Sequence, residues 1–419
     1  MFRKISFVLT FACISLAASA QQTAPLYRII IKGGHVIDAK NNIDEVMDIA
    51  VQDGKIARVA KNLDTTLAAQ IVNARGMIVT PGLIDMHTHV FYGSEPDHYL
   101  SNGTLAVLPD QSTFKSGVTT VVDAGGAGWK SFALFKKNII DNSQTRVLSF
   151  LNIVGEGMRG IDPYEQNLND MDAKLTAEAA IANKEYVVGF KVAHYTGTDW
   201  NPIQRGVEAG KIANMPVMID LNSISFSIEE LFTKYLRPGD IYTHTFIEST
   251  RGVVDPITDL KTRQFKPFVL QAQKKGIIFD VGFGGGSFNF GQALPATKAG
   301  FYPNTISTDL HKQSVNGAMK DQLNVISIFL AMGMKLQDAI KASTWTPAQV
   351  IKREELGNLS VGSEADIAVL SIRKGTFGFR DVSGNKQTGT RKLECELTMR
   401  AGKIVYDLNA IAGNVVVRK

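Results

Sequence analysis

Short apolar runs rich in β-branched residues recur through the middle of the chain. They lie at Leu83–His87, Thr119–Asp123, Val147–Ile153, Val187–Val192, Val217–Leu221, Ile241–Phe246, Ile277–Val281 and Thr305–Leu310. Between them the apolar period lengthens. Phe132, Phe135, Ile139 and Ile140 follow an i, i+3, i+7, i+8 stripe, and Leu175, Ala179 and Ala182 form a second. Ile203, Val207 and Ile212 give a looser third stripe, and Leu323, Ile326, Leu330 and Met334 a fourth. Near-continuously apolar strands alternating with amphipathic helices imply a parallel sheet covered on both faces. Eight such units predict a closed (β/α)8 TIM barrel rather than an open doubly wound sheet. No Gly-x-Gly-x-x-Gly follows the first strand, which argues against dinucleotide binding.

The two ends of the chain alternate differently. Tyr27, Ile29 and Ile31, then Ile49 and Val51, then Ile56 and Val59 recur at period two, with Asp53-Gly54 as a turn. Asp366–Leu370, Glu396–Met399 and Ile404–Tyr406 do the same, with Ala401-Gly402 as a turn. Strands at both ends of a barrel sequence predict one small β-sandwich assembled from the two termini. The expected division is a signal peptide (1–20), an N-terminal part of the sandwich (21–80), the barrel (81–354) and a C-terminal part of the sandwich (355–419).

Composition changes this picture little. At 419 residues, with 44% hydrophobic and 20% charged, the chain is ordinary for a folded protein with a full core. The net charge of +5 includes Arg3 and Lys4, and no basic run is interleaved with aromatics, so nucleic-acid binding gains no support. Arg3 and Lys4, the apolar stretch Ile5–Ala17 and Ala18-Ser19-Ala20 read as a secretory signal cleaved after Ala20. That stretch is too short for a stable membrane span. The expectation is an exported protein, in a bacterial periplasm, without stable membrane insertion after cleavage. Cys13 lies in the leader, behind a poor lipoprotein approach. Cys395, the only other cysteine, is expected to be a buried, inert thiol in an alternating strand.

The candidate chemistry sits at the strand ends, where a (β/α)8 barrel carries its reactive groups. His87 and His89 recur at period two after the first strand and project to one side, as half of a metal site would. Lys191 interrupts an apolar run in strand four. Asp220 ends strand five, His244 strand six, and Asp309 and His311 strand eight. A buried lone lysine or aspartate is costly unless paired or metal-bound, so Lys191 could simply pair with Asp220 and Asp309 could cap a helix. Six polar groups on one rim point instead to a shared site. A desolvated lysine amine can add carbon dioxide and become a bidentate carbamate. Carboxylated Lys191 would then join two cations, one held by His87, His89 and Asp309, the other by Asp220 and His244. A hydroxide between such cations is a nucleophile at neutral pH, and Asp309 would shuttle its proton to the leaving group.

These residues lie in extended motifs: Pro81-Gly82-Leu83-Ile84-Asp85-Met86-His87-Thr88-His89, Gly117–Gly125, Gly189-Phe190-Lys191, Arg237-Pro238-Gly239-Asp240, Thr243-His244, Ser307-Thr308-Asp309-Leu310-His311 and Gly357–Ala368. On them the chain resembles the amidohydrolase superfamily, and more closely its amidohydrolase/deacetylase (dihydroorotase-like) branch, over nearly all of residues 26–407. The resemblance implies a hydrolase acting on carbon–nitrogen bonds other than peptide bonds. It also implies one or two divalent metal ions, zinc first with manganese or iron as alternatives, and a small N-acyl or O-acyl carboxylic acid as substrate. Two departures stand out. Asp220 occupies the place of a usual histidine, which leaves an altered metal preference or a one-metal site. Phe283, in Gly282-Phe283-Gly284-Gly285-Gly286-Ser287-Phe288, replaces a usual substrate-facing histidine. Dihydroorotases usually carry arginine where Phe91 stands, so a cyclic-amide substrate or ring deamination ranks second. A non-catalytic exported binding protein ranks third.

His311, His194 and Arg159 are candidate substrate contacts: His194, just past strand four, reads as a loop histidine before a contact to substrate or metal, His311 as a residue that orients substrate or Asp309, and Arg159 as a carboxylate clamp. His35 reads as structural and His98 as a loop residue. Gly282–Gly286 reads as a flexible loop near the site before a phosphate cradle. Homo-oligomerisation stays open.

Overall fold

The computed structural model describes residues 25–92, 106–158, 164–221, 226–248 and 255–413. The expected signal peptide lies outside the described residues, as do His98 and Arg159. The chain begins with β1 (Tyr27–Asp38), β2 (Ile43–Gln52), β3 (Lys55–Ala60), β4 (Ala68–Asn73) and β5 (Ile78–Pro81). It continues through β6 (Leu83–Thr88), β7 (Val118–Gly128), β8 (Arg146–Asn152), β9 (Val187–Ala193), β10 (Val217–Asp220), β11 (Ile241–Tyr242) and β12 (Ile278–Phe279). It returns through β13 (Ile367–Arg380), β14 (Lys386–Arg400) and β15 (Lys403–Asp407).

Strands β6 to β12 pair in sequential order as a seven-stranded parallel sheet. The expected eighth strand is only a bridging segment: Thr305 pairs with Asp280 and Leu310 with Thr88, both parallel. Its backbone nevertheless bonds both edges of the sheet. Val281 N donates to Thr305 O (3.1 Å) and Gly284 N to Thr308 O (2.9 Å), while His89 N donates to Leu310 O (2.8 Å). A left-handed backbone at Asp309 (φ 49°) interrupts the extended run, which is why pairing here is local. Strands six and seven are likewise shorter than their apolar runs, because the chain leaves the sheet at Thr243 and Asp280 to enter the site.

Apolar side chains of the strands divide between two layers. Leu83, Val121, Val147, Phe190 and Ile219 pack with the surrounding helices in the largest core cluster. Ile84, Met86, Val122, Leu148, Val188 and Met218 form another with Ala348, Ile351 and Leu356. Ile84 N bonds Ser343 O, so the helix Trp345–Val350 stands at the start of the strands, opposite the histidines. The helix Ala173–Ala182 corrects one expected stripe: it buries Ala173, Thr176, Ala177 and Ala180, and Leu175 is 40% exposed. Small residues inward let this helix lie close to its neighbours, which an apolar-period count does not register.

The terminal strands meet, but in one continuous mixed sheet of order β15-β14-β13-β5-β1-β2-β3, with β4 beside β1. The expected sandwich of separate layers is therefore corrected to a single sheet. The reason is β5, whose two edges are both used: it runs parallel to β1 and antiparallel to β13. Ile29, Ile31, Val51, Val79, Val369, Leu397 and Met399 share one core from both chain ends. The β13–β14 hairpin is much longer than its alternation suggested and reaches the barrel, where Leu393 N bonds Ser327 Oγ (3.0 Å). Cys395 is buried there, and burial pushes its thiol up to about 12, the behaviour of an inert thiol.

Candidate metal centre

The described candidate residues converge at the C-terminal ends of the strands. His87 Nε2 lies 3.6 Å and His89 Nε2 2.9 Å from Asp309 Oδ1. These three residues offer ligand atoms all within 4.8 Å of one another. On the other side, His244 Nε2 lies 3.2 Å and Lys191 Nζ 3.3 Å from Asp220 Oδ2. Lys191 Nζ is also 3.1 Å from His87 Nε2, so it stands at the join of the two groups. The pairing of Lys191 with Asp220 is present, but as one edge of a larger constellation rather than an isolated ion pair.

The ring nitrogens are assigned by what faces them. Asp280 is held ionised: burial opposes this, but His87, Thr305 and Ser307 outweigh it. Thr243 therefore donates to Asp280 Oδ2 (2.8 Å) and has only a lone pair left for His87 Nδ1 at 2.9 Å. His87 carries its proton on Nδ1 and turns the Nε2 lone pair inward. His244 is wired alike, since Nδ1 meets the carbonyl of Gly282 at 2.6 Å. His311 is wired the opposite way. Its Nδ1 accepts from Gln313 N (3.2 Å), leaving Nε2–H to face Asp309 Oδ2 at 3.7 Å. His311 thus turns a protonated nitrogen, not a lone pair, towards Asp309 from beyond hydrogen-bond distance.

Backbone strain concentrates on these residues. His194 (φ 55°), His244 (φ 57°) and Asp309 (φ 49°) are left-handed, a region that costs a non-glycine residue about 1–3 kcal/mol. The glycine run after β12 has a steric explanation. A Cβ on Gly284 would stand 2.3 Å from Asp309 Oδ2, and one on Gly282 would stand 2.8 Å from His244 Nδ1. These glycines give the ligands room, which replaces the expectation of a merely flexible loop. Phe283 points away from the rim: it is fully buried and stacks on Phe288 at 4.4 Å.

Charge is arranged to favour cations. Burial and then Lys191 drive His87 down to about 3, so its imidazole is neutral. Burial works to raise Asp309, yet His87 and His89 hold it well below the usual carboxylate range. Asp220 is likewise held low, against burial, by His244 and Lys191. The neutral His87 imidazole, with its inward nitrogen deprotonated, beside the ionised Asp309 and Asp220 and the further imidazoles of His89 and His244, forms a donor set that suits zinc, manganese or iron. The residues fit a divalent metal.

His194, just past β9, donates from Nδ1 to Glu165 Oε2 (2.9 Å) and points Nε2 at Asp220 Oδ2 (3.5 Å). Against the lowering effect of burial, Glu165 and Asp220 raise it to about 9. Sequence reasoning missed Glu165, Thr243, Asp280 and Asp85, which orient the rim. Asp85 accepts from Thr308 N (3.0 Å) and Thr308 Oγ1 (2.5 Å), tying β6 to the eighth segment. Asp85 and Asp280 were visible as acids inside apolar runs. Glu165, in a short helical turn, carried no such signal.

Comparison with known proteins gives the family. Residues 287–405 match the model of the amidohydrolase family. A deacetylase of Brucella anthropi is 30% identical over 90% of this chain and 91% of that protein. The structure superposes on that of an adenine deaminase with a TM-score of 0.82 at 26% identity, covering 91% of this chain and all of that one. A dihydroorotase structure gives 0.79 at 28%, covering 90% and 99%. The chain belongs to the amidohydrolase family and is a hydrolase.

Proposed function

We propose that this protein is a metal-dependent deacetylase or related acyl-amide or ester hydrolase acting on a small acylated carboxylic acid, such as an N-acyl amino acid. The convergence of His87, His89, Lys191, Asp220, His244 and Asp309 on one rim carries this reading. The similarity to a deacetylase over 90% of the chain supports this reaction class. His87, His89 and Asp309 would hold one divalent cation; Asp220 and His244 would hold a second, with Lys191 between, carboxylated by carbon dioxide. Zinc, or else manganese or iron, supplies Lewis acidity there and lowers the pKa of water.

The chain's own groups divide the remaining work. Asp309, ionised and 2.9 Å from His89, accepts the proton of the attacking water at a carboxylate oxygen and passes it to the leaving nitrogen or oxygen. His311 Nε2–H steadies the second oxygen of Asp309 or a substrate oxygen beside it. Thr243 and Asp280 fix the His87 ring, and Gly282 O fixes His244, so neither imidazole must reorient during turnover. The eight segments are read as a closed (β/α)8 barrel, and the leader as export to the periplasm, with Gln21 the first mature residue.

The test is protein purified without chelators, assayed for metal content and on a panel of N-acyl amino acids, acyl esters, cyclic amides and adenine. Stoichiometric metal with turnover of the acyl compounds is expected. Turnover of the cyclic amides or adenine alone would place the chain with ring-acting relatives. No metal, and no activity after zinc, manganese and bicarbonate, would leave a binding protein.

A further inference from the structure

We propose that His194 is a nitrogen ligand of the cation on the Asp220 side of the site, with Glu165 as its positioning residue. The proposal rests on the metal-dependent reading above and chooses among the roles left open for His194, of which substrate contact was one.

Its first support is convergence. Asp220 Oδ2 is approached by three nitrogens from two chain segments: His244 Nε2 at 3.2 Å from one, and Lys191 Nζ at 3.3 Å and His194 Nε2 at 3.5 Å from the other. The second is wiring. Glu165 is buried; one of its oxygens takes Asn152 Nδ2 (3.3 Å) and the other takes His194 Nδ1 (2.9 Å). A carboxylate acceptor keeps the His194 proton on Nδ1 and leaves Nε2 to face inward. His87 and His244 are committed in the same sense, whereas His311 is reversed. An imidazole backed by a carboxylate is a recurrent support for metal-bound histidine. Two Nε2 atoms turned to one carboxylate need positive charge between them and it, either a second proton on each ring or a cation. A shared cation meets that need with one charge, and a proton on each ring is the competing arrangement.

The third support is backbone. His194 is left-handed at φ 55°, three residues beyond Lys191. Its carbonyl accepts from Gln166 Nε2 (2.8 Å), and Gln166 Oε1 accepts from Thr196 N (2.9 Å). This turn lets Lys191 and His194 reach the same carboxylate, which continued strand would not do, because residues 191 and 194 lie on opposite faces at period two.

The experiment is cobalt and zinc titration of the full chain and of His194→Asn and Glu165→Gln, with bound metal per chain and the Co(II) absorption spectrum as readouts. Asparagine tolerates the left-handed backbone, so His194→Asn removes the imidazole while keeping the turn. Two cations are expected in the unsubstituted protein. His194→Asn should keep the first and weaken the second by about 100-fold or more, with an altered cobalt spectrum. Glu165→Gln should weaken the second by roughly 10–100-fold, and it tests the proposal alone should His194→Asn not fold. Unchanged stoichiometry, affinity and spectrum in the variants would overturn the assignment and favour protonated rings. An unsubstituted protein that binds no cation would instead remove the metal-dependent reading itself.

Discussion

The barrel rim and the terminal sheet both bury charge and both bend the backbone into the left-handed region, with opposite results. In the sheet, the left-handed positions Asn42, Asp53 and Ala401 lie in turns between neighbouring strands. They reverse the chain and carry no chemistry. On the rim the same conformation falls on His194, His244 and Asp309, side chains aimed at one another. Buried charge differs in the same way. Asp48 in the sheet is fully answered by Lys32 Nζ (2.7 Å), Gly33 N (2.7 Å) and Leu63 N (2.8 Å). On the rim, Asp220 faces His244 Nε2 and Asp309 faces His87 Nε2, and both of these rings carry the Nδ1 proton turned outward. A closed set of donors builds stability, and an open set of acceptors is a place for a cation.

This contrast breaks most sharply at Lys191. Replacing it with alanine should remove at least one cation and reduce kcat/KM on the order of 10³-fold, the several kcal/mol that metal chemistry supplies. Full retention of metal would refute a bridging role. Leu397→Ala should do the reverse in the sheet. It empties a fully buried position at a cost of about 2–5 kcal/mol in urea unfolding, while activity per folded molecule stays unchanged.

Thr243→Val tests the wiring of His87. Loss of the acceptor behind Nδ1 should weaken metal binding by about 10–100-fold in chelator competition, with a smaller effect on folding. Asp48→Asn is the smallest expected change, about 1–3 kcal/mol of stability near neutral pH. Its carboxyl is held below the ordinary value because Lys32, Gly33 and Leu63 outweigh burial. A lowered folded pKa stabilises above the unfolded value and loses that contribution as pH falls through the folded one. The unsubstituted and Asp48→Asn proteins should therefore separate above the ordinary carboxylate range and converge in urea as pH falls through the lowered folded pKa.

Several parts of this arrangement were legible in the chain alone. His87 and His89 show through local spacing, and Lys191 and Asp220 show as charges inside apolar runs, because a strand's two-residue period assigns faces without knowledge of its partner. The first five barrel strands are clear for the same reason. Strands six to eight were overestimated, since apolar content does not register where the backbone leaves the ladder. Leu175 was misassigned because a stripe of alanines gives a weak periodic signal even where it forms the packed face. The continuous terminal sheet was missed because β5 pairs with both chain ends, and pairing partners leave no mark in composition.

The sequence by itself determined the element types, the presence of a polar rim and the residues able to hold metal, all of which follow from period and residue chemistry. Tertiary structure decided which nitrogen each imidazole turns inward, why Gly282 and Gly284 must lack a side chain, and why Phe283 faces the core. It also brought Glu165 behind His194 and placed both next to Asp220. Those are contacts between segments distant along the chain, and their geometry exists only once the strands share a sheet.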